Sequence, residues 1–335
     1  MMMTNKPSFE MEQFVWAKFA EHGLVDDVLH WDEGWHRCGT SKKPNSKNGA
    51  YSLHSDYPQN FACRNYQDGK GGVTYKYKLL DNNEASNMTP AEKKARAERI
   101  RREQLKRKAQ LAKRRAAAAG KARWILTHFP PAGNDNPYLA RKGVPAIEDL
   151  CQDKDGRLII PVYGEAGRLA GRLQSVQMIM ADGTKTFLKD GVTAGGYFPL
   201  PAKDGSKAGP LLIGEGYATC MSASMATGYA ALCAFYANNL ENVAQLARAY
   251  YPEREIILLA DNDCTGKETG VPLPPAQNTG VTRATAAAAA IGAAIAIPPP
   301  LDGRRSDFND VHRAQGLQAV RNAIEAARGA TVCRK

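Results

Sequence analysis

Three carboxylates with short, ordered spacing could do chemistry in this chain. Glu215 stands between two glycines in Leu211-Leu212-Ile213-Gly214-Glu215-Gly216, and Asp261 and Asp263 flank Asn262 directly after Ile256-Ile257-Leu258-Leu259-Ala260. Unpaired, such acids repel. Gathered at one spot they suit hard divalent cations, since Mg²⁺ characteristically takes one or two carboxylates and completes its shell with substrate phosphates. The chemistry would then be that of phosphate esters. Each motif also has a bland reading, Gly-Glu-Gly as a strand-to-helix turn and Asp-Asn-Asp as a polar helix cap.

The elements that must position these acids are legible around them. Each acid ends a short, continuous apolar run, as a strand of a buried parallel sheet does where its carboxyl end opens into a site. Residues two apart in extended chain point the same way, so Asp261 and Asp263 face together. From Pro210 the pattern predicts strand 211–214, helix 217–227, strand 229–235, helix 239–250, strand 255–260, a loop, helix 281–291 and strand 293–297. This alternation means right-handed βαβ units and a parallel sheet. Residues 264–280 are long for such a loop and hold Lys267, which suits either a lid or a disordered segment. Upstream, the glycine-bounded stretches 156–163, 167–177 and 183–189 predict an antiparallel sheet with Arg157, Arg172, Lys185 and Lys189 near strand ends. Downstream, Asp307 and Asp310 in Ser306-Asp307-Phe308-Asn309-Asp310 would either join the acids or cap a final helix over 311–327.

The 335-residue chain has 45 Lys and Arg against 34 Asp and Glu, a formal charge of +11 that suits a polyanionic partner. Between Ala91 and Arg123 stand 14 basic and 3 acidic residues, so this one segment carries an excess equal to the whole formal charge. With Thr89 as cap and Pro90 at the first turn, it predicts one helix ending near Gly120. The helix lacks a sustained apolar stripe, so it is either solvated or laid along a polyanion, with Arg101, Arg102, Lys106 and Arg107 as its backbone contacts. Ahead of it, helical spacing over residues 9–30 (Phe14, Phe19, Leu24, Leu29) precedes a stretch in which Trp31, Trp35, Tyr51, Tyr57, Phe61, Tyr66, Tyr75 and Tyr77 alternate with cations and turn residues. That is a small twisted β-module whose aromatics either stack bases or fill its own core. Seven cysteines without a CxxC pair exclude a disulfide framework. No signal-peptide pattern opens the sequence and Ala286–Ile297 is too short and weakly apolar to span a bilayer, so a reducing cytoplasm is expected.

Taken in order, Glu215, the Asp261/Asp263 pair and the Ser306–Asp310 patch resemble the Toprim domain of bacterial, phage and plasmid DNA primases. Here Asn262 replaces the glycine of the commoner Asp-Gly-Asp. The likeness covers residues 134–330 and, loosely, 31–78. It implies an α/β fold, α+β overall: a Toprim-like parallel sheet with flanking helices, preceded by a small antiparallel β subdomain and an N-terminal aromatic-rich β module on a long basic helix. The implied boundaries are 1–88, 89–123, 124–208, 209–300 and 301–335. The implied activity is synthesis of short RNA primers on single-stranded DNA of a plasmid or phage, with Mg²⁺ or Mn²⁺ held by Asp261, Asp263 and Asp307. Glu215 would be a ligand or a proton carrier. Arg157, Arg172, Lys185, Lys189 and Lys267 would position template or nucleoside triphosphate, and a replicative helicase or relaxase would be a further partner. Toprim domains also serve nucleases and other strand-cleaving enzymes, and a non-catalytic single-strand-binding accessory would show the same charges. Many primases carry an N-terminal zinc ribbon, but His36, Cys38, His54 and Cys63 lack paired-ligand spacing, so zinc is not expected.

Overall fold

The computed structural model describes residues 9–32, 34–54, 60–67, 73–78, 89–164, 171–205, 209–266 and 269–332. The chain divides into two compact units, Met1–Gln104 and Leu105–Lys335.

In the N-terminal unit, helix α1 (Phe9–Glu21) buries Met11, Val15 and Phe19, a stripe of spacing four, while Phe14 stays exposed. The helix stops well short of residue 30. Gly23 turns the chain with a φ of 60°, and Leu24 opens the first strand. Strands β1 (Leu24–Val25), β2 (His36–Thr40), β3 (Gly49–His54), β4 (Asn60–Asn65) and β5 (Tyr75–Lys78) form an antiparallel sheet in sequential order. The stripe of α1 packs on Cys38, Tyr51, Leu53, Phe61 and Cys63, with Tyr75 and Tyr77 at the edge. Tyr51 and Phe61 are core and Tyr75 and Tyr77 half-buried against it; Trp35 and Tyr66 are exposed, and Tyr57 lies outside the described residues.

Helix α2 (Pro90–His128) runs through Gly120 to His128. A helical glycine costs about 1 kcal/mol relative to alanine. Here tertiary packing outweighs it: Ala118, Ala122 and Ile125 are buried against Cys151, Ile159, Val176 and Leu188.

The C-terminal unit holds α3 (Pro137–Lys142) and an antiparallel sheet of β6 (Cys151–Gln152), β7 (Leu158–Gly164), β8 (Arg172–Ile179) and β9 (Lys185–Phe187). A second sheet is made of β10 (Phe198–Leu200), β11 (Leu211–Gly214), β12 (Ala230–Cys233), β13 (Ile256–Leu259) and β14 (Ala294–Ala296), in the order β10-β12-β11-β13-β14. All are parallel except β10, which pairs antiparallel with β12 at the edge and was not evident in the sequence. Its central Pro199 removes a ladder donor, which only an edge strand tolerates. Helices α4 (Tyr217–Thr227), α5 (Leu240–Tyr250) and α6 (Thr279–Ile291) alternate with the strands as the pattern predicts. Leu212, Ile257 and Leu259 pack with α4 on one face, and Ile213 and Leu258 with α5 and α6 on the other. The single final helix of the sequence pattern is two, α7 (Phe308–Gln315) and α8 (Leu317–Val332), parted at Gly316, whose φ of 82° no helix can take.

Candidate functional site: an acidic cluster at the carboxyl edge of the parallel sheet

Strands β11 and β13 are parallel neighbours with Gly214 opposite Leu259. Glu215 and Asp261 therefore leave neighbouring strands at the same edge of the sheet, one residue out of register. The Asp261 turn is pinned by its neighbours. Asn262 exchanges two main-chain hydrogen bonds with Ser306, at 2.8 and 3.1 Å, which delivers Asp307 to the same edge from a distant part of the chain. The Asn262 side chain turns away from the acids, donating to the Pro298 carbonyl at 3.0 Å and accepting from Asn278 at 2.9 Å. Asn278 Oδ1 in turn accepts from the Asp263 N–H at 2.9 Å and caps α6. The first turn of α6 presses so closely on the site that a Cβ on Gly280 would stand 2.1 Å from the Asp261 carbonyl.

The four acids sense one another. Burial, then the charges of Glu215, Asp307 and Asp263, hold the Asp261 carboxyl well above the usual carboxylate range. Asp261 Oδ1 is buried and has no hydrogen-bond partner among the described residues. Glu215 is likewise raised, first by burial, with Asp263 and Asp307 adding to it and Lys185 and the Ala237 N–H opposing. The Lys185 ammonium lies against Gly216, 3.5 Å from where a Cβ would stand. Asp307 is raised by burial and by Asp310, against Lys142 and the N–H groups of Asn309 and Asp310. It serves both roles the sequence left open, since it also caps α7 in a reciprocal box: its Oδ1 accepts from the Asp310 N–H at 2.8 Å, and Asp310 Oδ2 accepts from its N–H at 3.1 Å. Asp310 faces Lys142 at 3.8 Å and contributes to the cap.

Asp263 is already engaged: its Oδ1 is ion-paired with Arg305, and its Oδ2 accepts from the Gly280 N–H at 3.3 Å. Among the described residues no three His, Cys, Asp or Glu side chains make a ready coordination cage. The acids are thus electrostatic neighbours without being a finished ligand shell, which fits an ion that arrives with phosphate and water as its other ligands.

The predicted cations fare differently. Lys185 is at the acids. Lys189 is exposed. Arg157 donates to Asp153 at 2.5 Å and pairs with Asp155 at 3.7 Å, closing the turn before β7. Lys267 lies outside the described residues. Arg101, Arg102, Lys106 and Arg107 are exposed on α2. Arg172 lines a groove of about 660 Å³ between α2 and β8, together with Lys108, Arg115 and Arg123, and no acidic residue is among its lining. The sequence concealed these three helical cations inside a longer basic run; their spacing of seven and eight residues, close to whole helical turns, was the available signal. Arg305 carried none.

The four candidate zinc residues do not converge. His36 and Cys63 occupy one register row with Tyr51 between them, two strand spacings apart, and His54 points to the opposite sheet face from Cys63. Burial pushes the Cys38 and Cys63 thiols up to about 12.

Strand order, acids and helices together define a class: residues 210–318 match the Toprim domain profile, and this part of the chain is a Toprim domain. Among its curated relatives are two Escherichia coli proteins, each called DNA primase TraC. One is 33% identical over 174 residues, covering 52% of this chain and 12% of the relative; the other is 31% identical over 282 residues, covering 83% and 24%. The chain therefore spans a quarter or less of the length of these relatives. Among solved structures, the Aquifex aeolicus primase (zinc binding and RNA polymerase domains) is 12% identical with a TM-score of 0.42, over 96% of this chain and 86% of that one. The primase fragment of the bacteriophage T7 primase-helicase is 13% identical with a TM-score of 0.39, over 59% and 79%.

Proposed function

We propose that the chain is the catalytic part of a plasmid- or phage-type DNA primase, joining ribonucleotides on a single-stranded DNA template by attack of a 3′-oxygen on the α-phosphorus of the next triphosphate. The observation that carries this is Asp261 Oδ1, a buried acceptor with no partner among the described residues, within electrostatic reach of Glu215, Asp263 and Asp307 at the carboxyl edge of a Toprim sheet. An orphaned oxygen among acids is a place for a cation. Asp261, Asp263 and Asp307 would hold Mg²⁺ or Mn²⁺, which when bound lowers the pKa of an attacking hydroxyl and neutralises phosphate charge. Glu215, its carboxyl raised by burial, stands ready either to ligate or to take the hydroxyl proton. Lys185 supplies positive charge for the triphosphate beside Gly216. Asp263 would exchange Arg305 for the cation and free that guanidinium toward phosphate.

On this proposal the template's sugar-phosphate chain follows the groove of Lys108, Arg115, Arg123 and Arg172, and the earlier part of α2 adds non-specific phosphate contacts. Residues 1–88 would then act as a template module, 89–123 as a basic connector, 124–208 as the ridge beside the acids, 209–300 as the Toprim sheet and 301–335 as its third acidic motif and closing helices. A replicative helicase or relaxase would deliver the strand. No described helix is long and apolar enough to cross a membrane.

The test is incorporation of labelled ribonucleotides on single-stranded DNA with Mg²⁺ or Mn²⁺. Synthesis that Asp261→Ala abolishes supports the proposal; loss of plasmid supercoils without synthesis would identify a nuclease instead.

A further inference from the structure

Beside the acids, the carboxyl edge of the parallel sheet continues at β12, which ends in two aromatics, Phe235 and Tyr236, where β11 and β13 end in carboxylates. Strands β12 and β11 are in parallel register with Cys233 opposite Gly214. The chain leaving β12 is tied to the Glu215 turn: the Ala234 N–H donates to the Gly214 carbonyl at 2.8 Å, the Cys233 thiol to the Glu215 carbonyl at 3.5 Å, and the Ala237 N–H to the Glu215 carboxylate. Within these ties the Tyr236 N–H donates to the Ala234 carbonyl at 3.0 Å across Phe235, whose φ is 71°. That is the strained form of the γ-turn, and a bulky residue at its centre persists only where the surroundings enforce it. They do so here: Phe235 is buried, and the fully buried Asn239 clamps the loop by donating to the carbonyls of Ala234 and Gly196 at 2.8 and 2.7 Å. The turn sends Tyr236 out of the core, half-buried, with its hydroxyl 3.5 Å from that of Thr193. Phe187 meets both rings at near right angles, its centroid 5.8 Å from Phe235 and 6.1 Å from Tyr236. Lys185 and Phe187 stand two apart on β9 and so share a face. The strand that brings Lys185 to Gly216 therefore also brings Phe187 to Tyr236.

We infer that Tyr236, backed by Phe187, is the seat for the nucleoside of the incoming nucleoside triphosphate, whose phosphates lie toward Lys185 and the acids. The inference deepens the primase proposal and rests on it for the identity of the substrate. A nucleoside triphosphate has a flat, weakly polar end and a highly charged one, and the sheet edge offers both complements in strand order, aromatic surface at β12 and carboxylates with a lysine at β11 and β13. Every base has a face to stack, so this contact serves all four nucleotides and leaves the choice among them to the template. Holding the ring matters as much as supplying it. The enforced turn, the Asn239 clamp and Phe187 fix Tyr236 before substrate arrives, so little side-chain freedom is lost on binding. The same loop grips Glu215 through the Ala237 N–H, which keeps the seat and the acid at a set separation.

The experiment measures primer synthesis by the full chain on saturating single-stranded DNA with Mn²⁺ while the nucleoside triphosphates are varied. Tyr236→Leu, which keeps apolar bulk, should raise the KM for triphosphate about 5- to 150-fold. The change in kcat should be far smaller, and affinity for single-stranded DNA and for Mn²⁺ alone should stay the same. Tyr236→Phe should restore the native KM, which a merely structural disturbance would not predict. In the native chain, 5-iodouridine triphosphate with Mn²⁺ should crosslink under ultraviolet light to the peptide holding Tyr236 and be displaced by ATP, a readout that needs no variant to fold. An unchanged KM in Tyr236→Leu, a loss of DNA affinity in place of triphosphate affinity, or a crosslink that falls elsewhere overturns the inference. Native synthesis with that KM unchanged would leave the acidic site's function standing, and Tyr236-dependent binding of ATP with Mn²⁺ by a chain that makes no primers would do the reverse.

Discussion

Asp261→Asn should make the cation-free chain more stable and less responsive to cations at once. In the cluster, Asp261 Oδ1 is buried without a partner among the described residues and the carboxylate is repelled by Glu215, Asp307 and Asp263. Leaving a buried polar group unsatisfied costs about 1–3 kcal/mol, and more when it is charged. Asparagine removes the charge at nearly constant shape and offers two N–H donors to the remaining acids. A gain of about 1–3 kcal/mol, in a unit of this size, raises the melting temperature by roughly 2–12 °C. The sign with pH follows from the raised carboxyls. A group whose folded pKa is raised favours the folded chain fully below its unfolded value and loses that contribution as pH rises through the folded one, so the advantage of the variant should vanish below about pH 4 and grow as pH rises toward the folded pKa. With Mg²⁺ added, the native chain should gain stability as the site fills, about 2.7 kcal/mol at a hundred times Kd, and the variant should gain much less. Differential scanning calorimetry in chelator and across a Mg²⁺ titration measures both. A variant that melts lower in chelator and keeps the native response to Mg²⁺ would refute the electrostatic account of the site.

Other outcomes follow from the same geometry. Arg305→Gln removes the cation that already occupies Asp263, and since a partly exposed pair is worth under about 1 kcal/mol, Mn²⁺ should bind up to roughly fivefold more tightly by electron paramagnetic resonance titration; weaker Mn²⁺ binding would mean that Arg305 props Asp263 in place. Changing Arg101, Arg102, Lys106 and Arg107 together to Gln should weaken DNA binding and flatten its salt dependence while leaving Mn²⁺ affinity alone; an unchanged slope would remove this part of α2 from the interface. Gly280→Ala forces a Cβ against the Asp261 carbonyl and should cost about 1–3 kcal/mol in a denaturant melt, with loss of cation response; a neutral effect would show that the first turn of α6 is free to move.

Much of the Toprim sheet is legible in the sequence because its strands are buried on both faces. Leu211–Gly214 and Ile256–Leu259 are unbroken apolar runs, and a run that ends in acid marks both an element and a site. What escaped had no periodic signal. Strand β10 is three residues around a proline, too short to alternate. The extension of α2 past Gly120 depends on a sheet that a helix-only pattern does not contain, and the break at Gly316 turns on one backbone angle. For the site, Glu215, Asp261 and Asp263 were evident from types and spacing. Arg305, Asn278 and the helical groove cations Lys108, Arg115 and Arg123 were not, because their roles arise from contacts across 15 to 64 residues of sequence. Arg157 shows the converse: it stood where a template contact was expected, and its guanidinium pairs with Asp153 and Asp155.

The two-way pairing of Asn262 with Ser306 uses only peptide groups, so it is indifferent to which side chains those positions carry. Glycine at the centre of the motif could therefore recruit Asp307 just as well, forfeiting only the amide struts to Pro298 and Asn278. Variation at that position would tune how stiffly the loop is braced and leave the acids' alignment intact, which is how two spellings of one motif can sit on the same sheet.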